Sequence, residues 1–316
     1  MKKILVFGSF NLDMTARVDD FPKPGQTIMG LSFNTGPGGK GSNQAIAAHR
    51  AGAEVVFATK IGMDSFGKLA LDTLKKEGMG LDCIIRDSSI PTSSAFIIVH
   101  SGSGQNAIVV NKGASGNISP EDINGIQGEI ASADIVLTQL ETNIDAVEKV
   151  VELAKKNGAT VILNPAPAAS IPDKIYRHVD VITPNETEAE SLTGMSISYS
   201  AGMEAASKWL ISRGVKTVIM TLGAKGAYIY SENNAYLVPA FPSRAVDTTG
   251  AGDVFNGALA AALADGKNMC DAVEFACAAG AISVARAGAA LSAPTKAEID
   301  ELISTTSVRS EQGDVL

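Results

Sequence analysis

Cysteine is scarce in this chain, and its spacing excludes two kinds of protein. Cys83, Cys270 and Cys277 are the whole set; they form neither a CxxC metal pair nor a disulfide framework. Free structural thiols suit a reducing cytoplasm, the expected location. Apolar runs long enough to span a bilayer are also missing. The opening MKKILVFGSFNLD is cut by Asn11 and Asp13 without a cleavage-type segment, so it reads as a first buried strand rather than a signal peptide. Basic charge is not in excess: the net charge is −8 with acids and bases interspersed, which disfavours nucleic-acid and membrane-surface partners. His49, His100 and His178 fall in no metal-ligand spacing. Two nucleotide signatures are absent as well. Gly8 leads into SFNLD instead of GxGxxG, and Lys40 is followed by Gly41 where a P-loop needs Ser or Thr.

What the chain does have is a strong alternation of element types. Apolar runs at ILVFG, VVFAT (from Val55), DIVLTQL (from Asp134), TVILN (from Thr160), VDVIT (from Val179) and TVIMT (from Thr217) predict strands. Between them SNQAIAAHRAG, SFGKLALDTLKKEG, IDAVEKVVELAKKNG and AGMEAASKWLISRG predict helices, several closing on glycine. This is the pattern of βαβ units: a single α/β domain over 1–316 with a mainly parallel sheet covered on both faces. Segments 15–35 and 92–111 break the rhythm with polar–apolar alternation and Gly/Pro turns, the second resembling a hairpin across SGSGQ. They predict a small separate sheet, serving as a lid, an oligomer contact, or both. The polar tail after about Ser307 is expected to fray.

Chemistry concentrates at glycine-rich junctions. In DTTGAGDVFNGALAAAL, Asp253 stands at the mouth of an apolar helix behind Gly250, Ala251 and Gly252. Such a helix start attracts anions, phosphate above all, although a plain capping carboxylate has the same sequence signature. Lys40 and Asn43, in NTGPGGKGSNQ, lie where a glycine-rich loop enters a helix; their mixed donors and acceptors suit a polyhydroxyl ligand, a solvent-facing loop being the alternative. Asn11 and Asp13 follow the first strand and Glu141 follows another, at strand ends where open α/β sheets bind ligands and where Asn and Asp also make ordinary turns. Asn185 and Glu188 open a further helix, either as a capping box or as oxygen donors to Mg²⁺ through water. Lys225, in TLGAKG, is a candidate phosphate contact.

Taken in order, GGKGSNQAIAAHRAG, NPAPA, TPNETEAE, TLGAKGA and DTTGAGDVFNGAL resemble the ribokinase (pfkB-type) family of sugar kinases, over about residues 3–305. The DTxGAGD motif is highly specific to that superfamily. The resemblance implies a three-layer α/β/α fold with a small β-sheet lid that also forms a homodimer contact. It implies ATP-dependent phosphorylation of D-ribose at O5, giving D-ribose 5-phosphate and ADP. Asp253 falls on the family's catalytic base, and Gly250, Ala251 and Gly252 on its anion hole. Asn11, Leu12, Asp13, Gly39, Lys40, Gly41, Ser42, Asn43 and Glu141 fall, with Asp253, on ribose-binding positions. Asn185, Thr221, Leu222, Gly223, Ala224, Lys225 and Gly226, with Gly252 and Asp253, fall on the nucleotide site. Asn185 and Glu188 match a motif associated with Mg²⁺. An activating K⁺ is implied at Asp247, Thr249, Ser283, Arg286, Gly288 and Ser292, largely through backbone carbonyls. Cys277 stands where relatives often carry His or Asn near adenine. Another pentose or hexose kinase, such as a deoxyribokinase, is the alternative within the family. A non-catalytic sugar- or nucleotide-binding protein on the same fold is the alternative outside it.

Overall fold

The alternating pattern folds as expected in a computed structural model that describes residues 2–232, 234–306 and 311–312. The strands are β1 (Lys3–Phe7), β2 (Asn11–Val18), β3 (Ser32–Gly38), β4 (Glu54–Gly62), β5 (Ile84–Asp87), β6 (Ser94–His100), β7 (Asn106–Asn111), β8 (Ile135–Thr138), β9 (Thr160–Leu163), β10 (Val181–Ile182), β11 (Thr217–Thr221), β12 (Ala227–Ser231), β13 (Asn234–Val238) and β14 (Glu311–Gln312). Ten of them form one sheet in the order β14-β13-β12-β11-β10-β9-β8-β1-β4-β5. From β11 to β5 the pairing is parallel, and β12 to β14 extend the edge antiparallel. Parallel neighbours need crossovers, and the predicted helices supply them.

β1 shows why this sheet is central. Its residues alternate between two cores: Ile4 and Val6 pack on one face, Leu5 and Phe7 on the other, and all four are fully buried. The first core joins helices Lys40–Arg50, Ala251–Ala264 and Met269–Val284; the second joins Ile144–Lys156 and Ser200–Ser212. Among the described residues no helix is long and apolar enough to cross a membrane.

The remaining strands form the predicted small sheet, in the order β3-β2-β6-β7. Its boundaries differ from the sequence reading in one useful way. β2 already begins at Asn11, so Asn11 and Asp13 lie on a strand of the small sheet rather than in a turn after β1. The hairpin across SGSGQ is present between β6 and β7. Of the tail expected to fray, most lies outside the described residues, but Glu311 and Gln312 pair with Leu237 and Tyr236.

Candidate active site

The helix Lys40–Arg50 begins where the two sheets meet. Its start has no side-chain cap of its own. Glu141, just beyond β8, does that work from a distance: its Oε2 accepts the Lys40 N–H at 2.8 Å and the Ser9 hydroxyl. A carboxylate there also meets the positive end of the helix dipole. Ser42 turns its hydroxyl back onto Gly38 O (2.6 Å) and Gly39 O (3.1 Å), and its N–H goes to Ser9 O, so it closes the loop–helix junction. Leu12 is buried, and its N–H donates to Ser93 O.

Asp253 lies in the first turn of helix Ala251–Ala264, whose N-cap is Gly250 at φ 74°. A side chain at that φ is strained, and a Cβ would lie 2.8 Å from Ala289, so glycine is required. The helix start has no side-chain cap hydrogen bond, so the leading N–H groups lack a side-chain acceptor. Asp253 is not the cap that the local sequence allowed. Its carboxylate is gripped by the neighbouring helix: Asn43 Nδ2 donates to Oδ2 at 2.9 Å and Gln44 Nε2 to Oδ1 at 3.0 Å.

Charge ties the remaining groups together. Burial, then the neighbouring Glu141 and Asp253 carboxylates, push the Asp13 carboxyl up to about 7. Asp253, then Glu141 and Glu188, hold the Lys40 ammonium above its usual range in spite of its desolvation. Burial, with help from Asp253, also raises Glu188. Three carboxylates from three segments thus act on one lysine, and Asp13 shares two of them as neighbours.

At a further helix start, Asn185 and Glu188 do form a capping box: Asn185 Oδ1 accepts the Glu188 N–H at 2.8 Å, and Glu188 Oε2 accepts the Asn185 N–H at 2.9 Å. A bridge joins Asn185 to Thr221, which brings this helix start beside the TLGAKG turn. Within that turn Leu222 N–H donates to Gly226 O, leaving Gly223, Ala224 and Lys225 exposed.

The loop of Asp247 and the segment 283–292 also come together. Asp247 accepts the Thr249 N–H at 2.9 Å and the Gly288 N–H at 3.0 Å. Burial would raise this carboxyl, but these N–H groups hold it below its ordinary value. Ser283 and Ser292 share a hydroxyl hydrogen bond at 2.7 Å, while the Arg286 guanidinium is paired with Glu298 at 2.6 Å. Cys277 is buried in the first core, and desolvation pushes its thiol up to about 12, so it packs rather than reacts.

The sequence reading named neither Ser9 nor Gln44 as a site residue. A glutamine among the small apolar residues of SNQAIAA was the available signal: a buried amide requires partners.

An α/β sheet with a cluster of buried polar groups, an open helix start and an adjacent small sheet defines a class: α/β proteins with a site for a small polar or anionic ligand. Residues 1–296 match the pfkB family carbohydrate kinase profile, and the chain belongs to that family. It is 41% identical to the ribokinase of Haemophilus influenzae over 96% of this chain and 98% of the relative. It is 35% identical to the deoxyribokinase of Salmonella typhi, over 95% and 98%. Its fold superposes on the structure of Arabidopsis thaliana ribokinase complexed with ribose and ATP with a TM-score of 0.89 at 32% identity, covering 96% of this chain and 98% of that one.

Proposed function

We propose that the protein is a ribokinase, transferring the γ-phosphoryl group of ATP to O5 of D-ribose to give D-ribose 5-phosphate and ADP. One observation carries the mechanism: Asp253 sits at the open start of helix Ala251–Ala264, held by donors from the helix that also carries Lys40. As the O5–P bond forms and the bond to ADP breaks, Asp253 accepts the hydroxyl proton. The N–H groups of Gly250, Ala251 and Gly252 receive the charge on the phosphoryl oxygens, which is the electrostatic work this transfer requires. Asn11, Asp13, Lys40, Asn43 and Glu141 hold the sugar, with Gly39 and Gly41 allowing close approach. Asn43 Oδ1 supports this role, being buried and without a partner among the described residues. The side chains of Leu12 and Ser42 shape the pocket rather than contact ribose.

Nucleotide phosphates lie over Thr221 to Gly226 and Asn185. Glu188 and Asn185, which use one oxygen each in their capping box, keep lone pairs for water-mediated contact with Mg²⁺, whose charge offsets that of the phosphates. The oxygen-rich junction of Asp247 and Thr249 with Ser283, Gly288 and Ser292 fits a monovalent K⁺; Arg286 contributes only its carbonyl, since its side chain is paired. A homodimer through the small sheet is also proposed. Its support is an apolar face opposite Asp13, where Phe33, Phe96 and Val109 lie more than half exposed.

The likeness to deoxyribokinase makes 2-deoxyribose the competing substrate. An ADP-release assay across ribose, deoxyribose, arabinose, xylose, fructose and adenosine decides. Highest kcat/KM on ribose is expected, because polar groups placed for a hydroxyl reject a sugar that lacks it. Preference for deoxyribose would change the substrate, and no ADP release with any sugar would leave a binding protein.

A further inference from the structure

We infer that Gln44 is a positioning residue for Asp253, locked by a ring of buried hydrogen bonds that returns to the helix start carrying that carboxylate. The inference rests on Asp253 being the proton acceptor. The ring runs through five side chains. Gln44 Nε2 donates to Asp253 Oδ1 and to Asn164 Oδ1, both at 3.0 Å. Asn164 Nδ2 donates to Thr183 O at 3.1 Å, and the Thr183 hydroxyl donates to Asn256 Oδ1 at 2.6 Å. Asn256 Nδ2 then donates to Gly252 O at 2.8 Å, one peptide bond from Asp253. Gln139 Nε2 closes the last vacancy on Gln44 by donating to its Oε1 at 2.6 Å. All six side chains are buried.

Direction in this ring is fixed by chemistry. An ionised carboxylate only accepts, so Gln44 must present Nε2 to Asp253. Both hydrogens of that nitrogen are then used, and its oxygen is taken by Gln139. Turning the amide over would set its oxygen against two acceptors at once. Asn43 grips the other carboxylate oxygen, but its Oδ1 has no partner among the described residues and is the one left for a ligand. Gln44, in contrast, has no unused donor; its function is orientation. The contact depends on how closely the two helices cross. At Gly257, one turn beyond Asp253, a Cβ would lie 2.5 Å from Gln44 O and 2.7 Å from Ala47 Cβ. Packing alone would not select such a network, since apolar residues of the same shape fill a core as well as a satisfied polar set.

The test compares Gln44→Met, Gln44→Glu, Thr183→Val and Asp253→Asn, with thermal unfolding measured for each. Gln44→Met keeps the length and removes the donors, and kcat should fall about 10- to 100-fold with the ribose KM within about threefold, because a misaligned group loses rate rather than affinity. Thr183→Val opens the ring on its far side and should cost only a few-fold. Gln44→Glu sets a second carboxylate about 3 Å from Asp253, so the acidic limb of the kcat–pH profile should move up by roughly one unit or more. A residue that merely fills the core would not move that limb. Gln44→Met folded and within twofold of the parent in kcat, or an unmoved limb in Gln44→Glu, overturns the inference. Should Gln44→Met fail to fold, the Gln44→Glu profile decides. Asp253→Asn separates the two claims: if it stays active the base reading fails and the positioning claim with it, whereas inactive Asp253→Asn beside a fully active Gln44→Met rejects positioning alone.

Discussion

The two sheets of this protein are both rich in β-branched and aliphatic residues, yet they end in different states. In the ten-stranded sheet, β1 has one face in each core and its Ile4, Leu5, Val6 and Phe7 are fully buried. In the four-stranded sheet, every residue of β7 is exposed, with Val109 at 67% and Ile108 at 52%. Register gives it two unlike faces: the carboxyl residue Asp13 aligns with Ala95 and Val110 on one, Met14 with Phe96 and Val109 on the other. The large sheet completes its burial within the chain. The small one leaves apolar residues exposed, which a ligand beneath it and a second copy above it would cover on the proposed reading. On that reading, sites on the large sheet are built in advance, and those on the small sheet are finished by binding.

That division predicts different kinetic signatures on the two sides. The largest effect belongs to the built side. Asp253→Asn keeps the shape but cannot take the proton, and kcat should fall roughly 10²–10⁴-fold, with ribose and ATP affinities changing far less. A variant within a few-fold of the parent would erase the distinction. On the small sheet, Asp13→Ala should act mainly on ribose KM, raising it about 10–100-fold through lost hydroxyl contacts. Equal losses in kcat and kcat/KM would place Asp13 in the chemistry instead.

The pH dependence sharpens the same contrast. Asp13 holds its proton more tightly in the folded protein, with its carboxyl at about 7 against an ordinary 3.8. Free protein therefore loses stability as pH rises between these values. Ribose hydroxyls donate best to the ionised form, so ribose KM should rise as pH falls below about 7, approaching tenfold per unit. Asp13→Asn should flatten that profile; an unchanged slope would mean another group titrates. A smaller effect is expected from the loop of Asp247. Replacing a large organic cation by K⁺ at constant ionic strength should raise turnover several-fold, and equal rates would dismiss the cation site.

The sequence made the large sheet easy to read and the network within it hard. Apolar runs and glycine-closed helices are local signals, and all six predicted strands are present. The antiparallel extension was not anticipated, since AYIYS and NAYLV mix polar, aromatic and apolar residues without a helix between them. Motif positions such as Asp253 and Lys40 were legible because glycine punctuates them. The choice between cap and buried carboxylate at Asp253 was not, because its donors lie 210 and 209 positions away. The Gln44 ring escaped for the same reason: its Asn164 partner is 120 positions distant. Nor could spacing reveal the raised Asp13 carboxyl, which follows from burial and from the charges of Glu141 and Asp253 on distant segments.

Hydrogen exchange with and without ribose tests the contrast between the sheets most directly, although the effect is the smallest of these. Amides at 92–111 should exchange a few-fold more slowly once ribose is bound, while those of helices Lys40–Arg50 and Ala251–Ala264, buried already, should keep their rates. Unchanged exchange at 92–111 in protein saturated with ribose would contradict the account, as would slowing confined to the two helices.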